Sequence, residues 1–403
     1  MSLLEQYQFS VSQKQILQTI ATDFAMWNEK SLDESFPHEL IDKYKDKELL
    51  KRIVKHYENL WSELKNSPLN YENFKDVKYD FQRKISFSPY KTDNLGFGMC
   101  PVASPKTRCC NLLTLDAVES CGFDCSYCAI QSFYNENKIG YDENFAEKLK
   151  NIKLDPNEVY HIGTGQSSDS LMWGNKFGTL KALFDFARTN PNVILELKTK
   201  SDNIAYLLEN DVPKNVIVTW SLNPQIIIDN EEHLTASLDK RIESALKLSQ
   251  KGVLVGFHFH PIVVFENYLE EYGKIYKKLI ELFEPSNVAL VSFGTLTFIK
   301  PVLKKLRTRG LKSKILQMPF DDANGKYSYP LELKKEMFKH AYDSFKPWHK
   351  DVFFYLCMED ESLWREVFGY EYISNNQFEE FMKEAYMKKV EGLRVQVKDG
   401  GYK

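Results

Sequence analysis

The sequence predicts an α/β fold: a partial (βα)6 barrel of the TIM type with an added N-terminal helical region and a C-terminal α-rich extension. Two observations carry this. Apolar runs at residues 111–117, 158–163, 193–198, 216–221, 253–259 and 288–293 alternate with stretches of helical periodicity. Each run is apolar on successive residues, as in strands covered on both faces, and strands separated by helices join through right-handed crossovers into a parallel sheet. Six such units suit an open barrel better than the full eight. The segments divide into a helical region at 1–80, a cysteine-containing loop segment at 81–110, the partial barrel at 111–320 and the extension at 321–403.

With 403 residues, 43% of them hydrophobic and 14% aromatic, the chain can bury a large core. A net charge of −3 is not a nucleic-acid-binding composition overall, so contact with DNA or RNA would rest on a local patch. No apolar run is long enough to span a bilayer, and the first residues lack the pattern of a secretory signal. A soluble, cytoplasmic protein with no membrane contact is expected. Seven cysteines, all but one between Cys100 and Cys128, suit metal chemistry in a reducing compartment better than a disulfide scaffold.

In the first segment Ile16, Ile20, Phe24 and Trp27 recur at helical spacing, and Leu49, Leu50, Ile53, Val54, Tyr57 and Trp61 do so again. Neither helix carries site chemistry. Gly96, Gly98, Pro101 and Pro105 then break periodicity. Cys100, Cys109 and Cys110 fall here; the adjacent pair lacks a ligand spacing, so buried thiols are expected rather than a second metal site. Within the barrel, helices are predicted over 177–188, shortly after Ser201, over 237–250 with Thr235 or Ser237 as cap, and over 268–283. The run from Lys300 to Lys314 holds Lys304, Lys305, Arg307, Arg309 and Lys312 without an acidic residue, and reads either as a solvated helix face or as a phosphate-facing patch. The tail adds helices over 331–345 and 377–390 around a short strand at Val352, with Trp348, Phe353, Phe354, Tyr355 and Trp364 packing as core.

Barrels of this kind place functional groups at the carboxyl ends of their strands. The first run leads into Cys121-Gly-Phe-Asp-Cys125-Ser-Tyr-Cys128. An all-protein zinc site takes four ligands, often as two separated pairs, whereas this loop offers three at close range. Three thiolates on a four-iron cubane, a [4Fe-4S] cluster, leave one iron open to a small chelating molecule. An incomplete zinc site and three unrelated buried thiols are the alternatives. The second run ends in Gly163-Thr-Gly165-Gln166-Ser167-Ser168-Asp169-Ser170, where glycines admit a ligand and the polar side chains could hold an amino-acid head group or cap a helix. The third offers Lys200 to neutralise a carboxylate, and the fourth Ser221 and Asn223 to bond a ribose or carboxylate. His258 and His260, alternate residues of the fifth, point the same way, and read either as structural histidines or as lining a substrate cavity. Cys357 closes the apolar run 352–357.

Together these residues resemble the spore photoproduct lyase family of the radical S-adenosylmethionine (SAM) superfamily. The likeness runs from about Cys100 to Phe320. It rests on Cys121-x3-Cys125-x2-Cys128, Ser168-Asp169, Leu197-Lys-Thr-Lys200, Trp220-Ser-Leu-Asn223, Gly256-Phe-His-Phe259 and Phe293-Gly-Thr-Leu296. It implies a [4Fe-4S] cluster on Cys121, Cys125 and Cys128, with SAM on the open iron beside Ser168, Asp169, Lys200 and Ser221, and Tyr127 next to the cluster. Gly165, Gln166, Asn223, His258 and His260 join the cofactor-side set from their strand ends. The activity implied is reductive cleavage of SAM to a 5'-deoxyadenosyl radical, fed by a reducing protein such as flavodoxin or ferredoxin.

Two departures matter. The family's DNA-repair members carry a hydrogen-donating cysteine two residues before the SAM-binding serine, where this chain has Gln166; and Ala129 replaces the aromatic residue after the last cluster cysteine. The expectation is therefore a lyase-like radical SAM enzyme acting on a substrate not yet identified. The alternatives are a DNA photoproduct lyase with Cys357 or a tyrosine as donor, and a non-catalytic iron–sulfur protein that binds nucleic acid.

Overall fold

The computed structural model describes residues 3–75, 77, 84–91, 96–100, 106–129, 137–323 and 325–398. Two compact units are distinguished, one of Met1–Asp80, Val264–Glu266 and Thr297–Pro330, the other of Phe81–Val263, Asn267–Leu296 and Leu331–Lys403.

The second unit is built on one sheet: β1 (Gly96–Met99), β2 (Leu113–Asp116), β3 (Tyr160–Thr164), β4 (Val193–Thr199), β5 (Val216–Ser221), β6 (Leu254–Ile262), β7 (Val288–Thr295) and β8 (Phe353–Leu356). Spatial order follows chain order, β1 pairing antiparallel with β2 and all other neighbours parallel. The partial barrel is present, and its predicted strands are β2 to β7. Sequential parallel strands require crossovers, supplied by Thr179–Thr189, Ala205–Glu209, Leu238–Gln250 and Tyr268–Leu282. Ser237 caps Leu238–Gln250, its hydroxyl accepting from the Lys240 N–H at 3.4 Å. Covered on both faces, β4 and β5 bury every residue except Lys198 and Ser221, which are half-buried near their carboxyl ends. The apolar interior of these strands holds the barrel together, while the polar ends remain for chemistry.

The sheet is wider than expected. The strand at Val352 joins its edge as β8, and the stretch taken as irregular supplies β1 at the other edge. Glycines at 96 and 98 disguise β1 as a loop, yet an edge strand can have Phe97 and Met99 exposed, as they are here. Ser86–Tyr90 is also a strand, paired with Lys138–Asp142. Pro101, Pro105 and the aromatic stretch after Ala129 lie outside the described residues. The final helix, Asn375–Lys398, runs well beyond its expected end at 390. Trp348, Phe354, Tyr355 and Trp364 are buried, as core packing requires. No helix among the described residues is long and apolar enough to cross a membrane.

In the first unit, Val11–Trp27 starts with a capping box in which Ser10 and Gln13 satisfy each other's backbone N–H. It buries Leu17, Ile20, Phe24 and Trp27, and Asp46–Asn66 buries Ile53, Val54 and Tyr57. The basic run forms the helix Lys300–Thr308 and its sequel, and it is not simply a solvated face. Arg307 donates to the buried Asp23 carboxylate through Nε at 2.6 Å and Nη2 at 2.9 Å, and Trp61 Nε1 adds a third bond at 3.0 Å. Lys314 pairs with Glu29 at 3.0 Å. Removing one member of such a pair leaves an uncompensated charge. Arg307→Ala is expected to destabilise this unit by about 3 kcal/mol, read as a lowered urea midpoint; an unchanged midpoint would show the pair to be energetically idle.

Candidate active site

β2 leads into the cysteine loop, which is held by a carboxylate from elsewhere in the sheet. Asp124–Cys125 forms a two-residue strand antiparallel to Glu232–His233, with Glu232 opposite Cys125, and the Ser126 N–H donates to Glu231 O at 2.8 Å. The Ser126 hydroxyl bonds the Glu231 carboxylate and the Tyr127 hydroxyl bonds that of Glu232. Glu232 Oε1 also accepts from the Asn223 amide at 2.8 Å and lies 3.6 Å from Lys200 Nζ. Arg241 Nη2 lies 2.7 Å from Oε2 as an ion pair, off the alignment of a hydrogen bond. Burial alone would raise the Glu232 carboxyl, but Lys200 and Arg241, with the bonds from Tyr127 and Asn223, hold it at about 2. Asn223 Oδ1 accepts from the Tyr272 hydroxyl at 2.6 Å, so its amide is used inside the fold at both ends. Among the described residues no three Cys, His, Asp or Glu side chains converge on a single-ion position.

The loop after β3 is stitched to the end of β4. Asp169 Oδ1 accepts from the N–H groups of Leu171 at 3.0 Å and Met172 at 2.9 Å and from the Thr199 hydroxyl at 2.8 Å, while Oδ2 accepts from the Lys200 N–H at 2.7 Å. Gly165, at φ +81°, lets this loop close: a Cβ there would stand 2.7 Å from Ser170 Oγ and 3.1 Å from Lys198 O. The loop is not the start of a helix; the helix Thr179–Thr189 begins well beyond it. Ser168 Oγ is buried with no hydrogen-bond partner. Met172 reaches the cysteine loop, its Sδ lying 3.4 Å from the Gly122 nitrogen and 4.0 Å from Cys121 Sγ.

A cavity of about 160 Å³ opens among the strand ends. Gln166, Lys198, Ser221, His258 and His260 line it, together with Cys100, Cys109, Cys110 and Cys357. A buried polar chain leads from it. Glu196 Oε1 meets His258 Nε2 at 2.7 Å and Oε2 meets His161 Nε2 at 2.8 Å; His258 Nδ1 meets Ser292 Oγ at 2.5 Å, and Ser292 Oγ meets His260 Nε2 at 3.0 Å. Burial would raise the Glu196 carboxyl, but Lys198 and the two imidazole bonds hold it well below the usual range. An ionised Glu196 only accepts, so His258 and His161 each donate from Nε2. His258 Nδ1 then accepts from the Ser292 hydroxyl, and Ser292 accepts from His260. Burial lowers both His258 and His260 below the usual imidazole range.

The structure brings Gln166, Ser221, His258, His260 and Cys357 together around one cavity; sequence reasoning misses Glu196, Glu232 and Arg241. Their signal was a charge inside an apolar neighbourhood: Glu196 interrupts the run of β4, and Arg241 sits on the inner face of its helix, fully buried.

A family profile described as Spore photoproduct lyase matches residues 113–341. The chain belongs to the spore photoproduct lyase family. Among curated members, the spore photoproduct lyase of Clostridium acetobutylicum is 24% identical over 226 residues, covering 53% of this chain and 64% of that protein. That of Bacillus subtilis is 27% identical over 164 residues, 40% and 48% of the respective chains. The matched part thus spans less than two thirds of these relatives. Solved structures share the fold: a doubly substituted spore photoproduct lyase with bound AdoMet and dinucleoside spore photoproduct aligns with TM-score 0.54 at 20% identity, covering 67% of this chain and 81% of that one. A spore photoproduct lyase complexed with dinucleoside spore photoproduct aligns at 0.56 and 18%, covering 70% and 86%.

In this family member the Glu232 clamp makes the cysteine loop acid-sensitive. A carboxyl held at about 2 instead of 4.5 contributes stability that is present above 4.5 and is lost as pH falls toward 2, roughly 3 kcal/mol in all. Acid unfolding of the native protein should show this slope, and Glu232→Gln should flatten it. An identical acid profile in the variant would remove the clamp from the account.

Proposed function

We propose that this chain is a radical SAM enzyme of the spore photoproduct lyase type, acting in the cytoplasm on a thymine photoproduct in DNA with Cys357 as hydrogen-atom donor. The observation that carries the reading is the shared cavity: Cys357 lines it together with Gln166, the residue standing where a thiol donor is expected. Family membership supports the substrate class, since solved relatives are described with a dinucleoside spore photoproduct.

Cys121, Cys125 and Cys128 would hold a [4Fe-4S] cluster, with SAM on its open iron. Two observations fit these groups: the donor set is three thiols on one clamped loop, and the buried Ser168 hydroxyl has a bonding capacity that the fold leaves unused. Bound there, the two would supply a 5'-deoxyadenosyl radical when reduced by a protein of the flavodoxin or ferredoxin class. The remaining work belongs to the chain's own residues. Lys200, just beyond β4, and Ser221, at the end of β5, would hold SAM, whose carboxylate and ribose suit their charge and hydroxyl. Lys198 lines the cavity, and Glu196, two residues earlier on β4, heads the groups that raise the lysine's pKa. Burial pushes the Cys357 thiol up to about 12, so it keeps its hydrogen at neutral pH and can give it to a carbon radical once the bond between the thymines has opened. Gln166 offers no comparably weak bond to hydrogen.

Protein reconstituted under argon with iron and sulfide, then given reductant, SAM and the dinucleoside photoproduct, should be brown and yield 5'-deoxyadenosine and restored thymines. Cys125→Ala should be colourless. Cys357→Ala should still form 5'-deoxyadenosine while repair falls about ten-fold or more. Undiminished repair in that variant would dismiss Cys357 as donor, and no 5'-deoxyadenosine from the unmodified protein would end the enzymatic reading altogether.

A further inference from the structure

The cavity holds more thiols than a single hydrogen donation needs. Cys100 follows β1, Cys109 and Cys110 precede β2, Cys357 follows β8, and all of them line the same space with Lys198. The cysteines are thiols in this structure.

The segment carrying Cys109 and Cys110 is fastened from outside the barrel. Thr107 bridges Asp360, and the Glu361 N–H donates to Lys106 O at 2.9 Å. Arg108 pairs with Glu361 at 2.9 Å and donates through Nε to Tyr372 O at 2.8 Å. The Cys109 N–H donates to Asn375 Oδ1 at 3.0 Å, and the Asn111 amide to Glu379 at 2.8 Å. On the other side, the Cys357 N–H donates to Phe293 O at 2.8 Å, and the Cys100 N–H to Leu112 O at 2.9 Å. The backbone N–H groups of Cys100, Cys109 and Cys357 are thus each tied to another element. Contact with Cys109 and burial push Cys110 well above the usual thiol range, so it too keeps its proton.

We propose that Cys357 and one thiol of the Cys100, Cys109 and Cys110 group act as a redox dithiol that closes to a disulfide once per turnover, making SAM a consumed co-substrate. The inference rests on the photoproduct reading above. Cys357 gives its hydrogen atom to the product radical and is left as a sulfur radical. That sulfur bonds to the second sulfur, whose proton is released, and the odd electron of the new bond returns to the one-electron carrier that supplied the reduction. The sum balances: SAM and two thiols become methionine, 5'-deoxyadenosine, a disulfide and a proton, while the photoproduct is isomerised to the paired thymines with no net change in oxidation state. A thiol reductant must reopen the disulfide before the next round.

The test counts thiols. Reconstituted protein freed of small thiols is reduced photochemically with deazaflavin, given SAM and the dinucleoside photoproduct, quenched in acid, alkylated and mapped by mass spectrometry. The expected result is a disulfide joining the Cys357 peptide to that of Cys100 or to that of Cys109 and Cys110. A pair of thiols should be lost for each 5'-deoxyadenosine formed, and repair should stop near a single product per protein until dithiothreitol is added. Repair with every thiol retained, or a disulfide confined to Cys109 and Cys110, overturns the dithiol and leaves the photoproduct reading standing. Absence of 5'-deoxyadenosine overturns that reading, and this inference with it.

Discussion

The site depends on a buried carboxylate. Eight residues carry the three loop cysteines, and their backbone pairs over Asp124–Cys125 with Glu232–His233, a two-stranded ladder separate from the main sheet. Glu231 holds Ser126, and Glu232 gathers partners each from a different element: Tyr127 from the loop itself, Lys200 from beyond β4, Asn223 from beyond β5, Arg241 from the helix Leu238–Gln250. Burying a carboxylate costs several kcal/mol, and two cations with two hydrogen bonds are what offset it. The same carboxylate therefore senses the relative placement of β4, β5, a covering helix and the cysteine loop. If any of these shifts, a buried charge loses a partner.

Asp169 shows what happens when the cations are missing. It accepts as many hydrogen bonds as its two oxygens can comfortably take, yet burial still raises its carboxyl, because its donors are backbone N–H groups and a hydroxyl. Glu232, more deeply buried but faced by Lys200 and Arg241, is lowered. Formal charge, not bond count, decides the direction. Asp169 fixes the path of the loop after β3 through these bonds, whereas Glu232 places a negative charge beside the cysteine loop and faces Lys200 and Arg241. A SAM carboxylate reaching Lys200 would compete with Glu232 for it.

How much of this was legible follows from what sets each feature. The strands β2 to β7 were readable because burial on both faces leaves unbroken apolar runs, and the cysteine loop because three thiols at close spacing have few other uses. β1 was hidden by its glycines, since an edge strand needs no apolar pattern. Glu196 could not be assigned a role from the sequence at all. Its partners, His161 and His258, are separated from it by 35 and 62 residues, and they meet it only because β3, β4, β5 and β6 lie side by side. Asn223 was legible as a polar strand-end residue but not as one already spent on Glu232 and Tyr272. The shared cavity of Gln166 and Cys357 likewise needs β8 to join the sheet's edge, a pairing that a four-residue strand does not announce.

The electrostatics of that cavity favour atoms over ions. His258 and His260 are kept neutral by burial, and Cys110 and Cys357 keep their protons. The charged side chains that line it are Lys198 and Arg108, the latter paired with Glu361. A thiolate beside a carbon radical would offer an electron; a thiol offers hydrogen, and only the thiol completes a carbon–hydrogen bond in one step. Glu196 heads the groups that raise Lys198, whose pull on Cys357 is outweighed by burial. What keeps the sulfur atoms protonated is their own setting: burial raises Cys357 against the pull of Lys198, and contact with Cys109 together with burial raises Cys110.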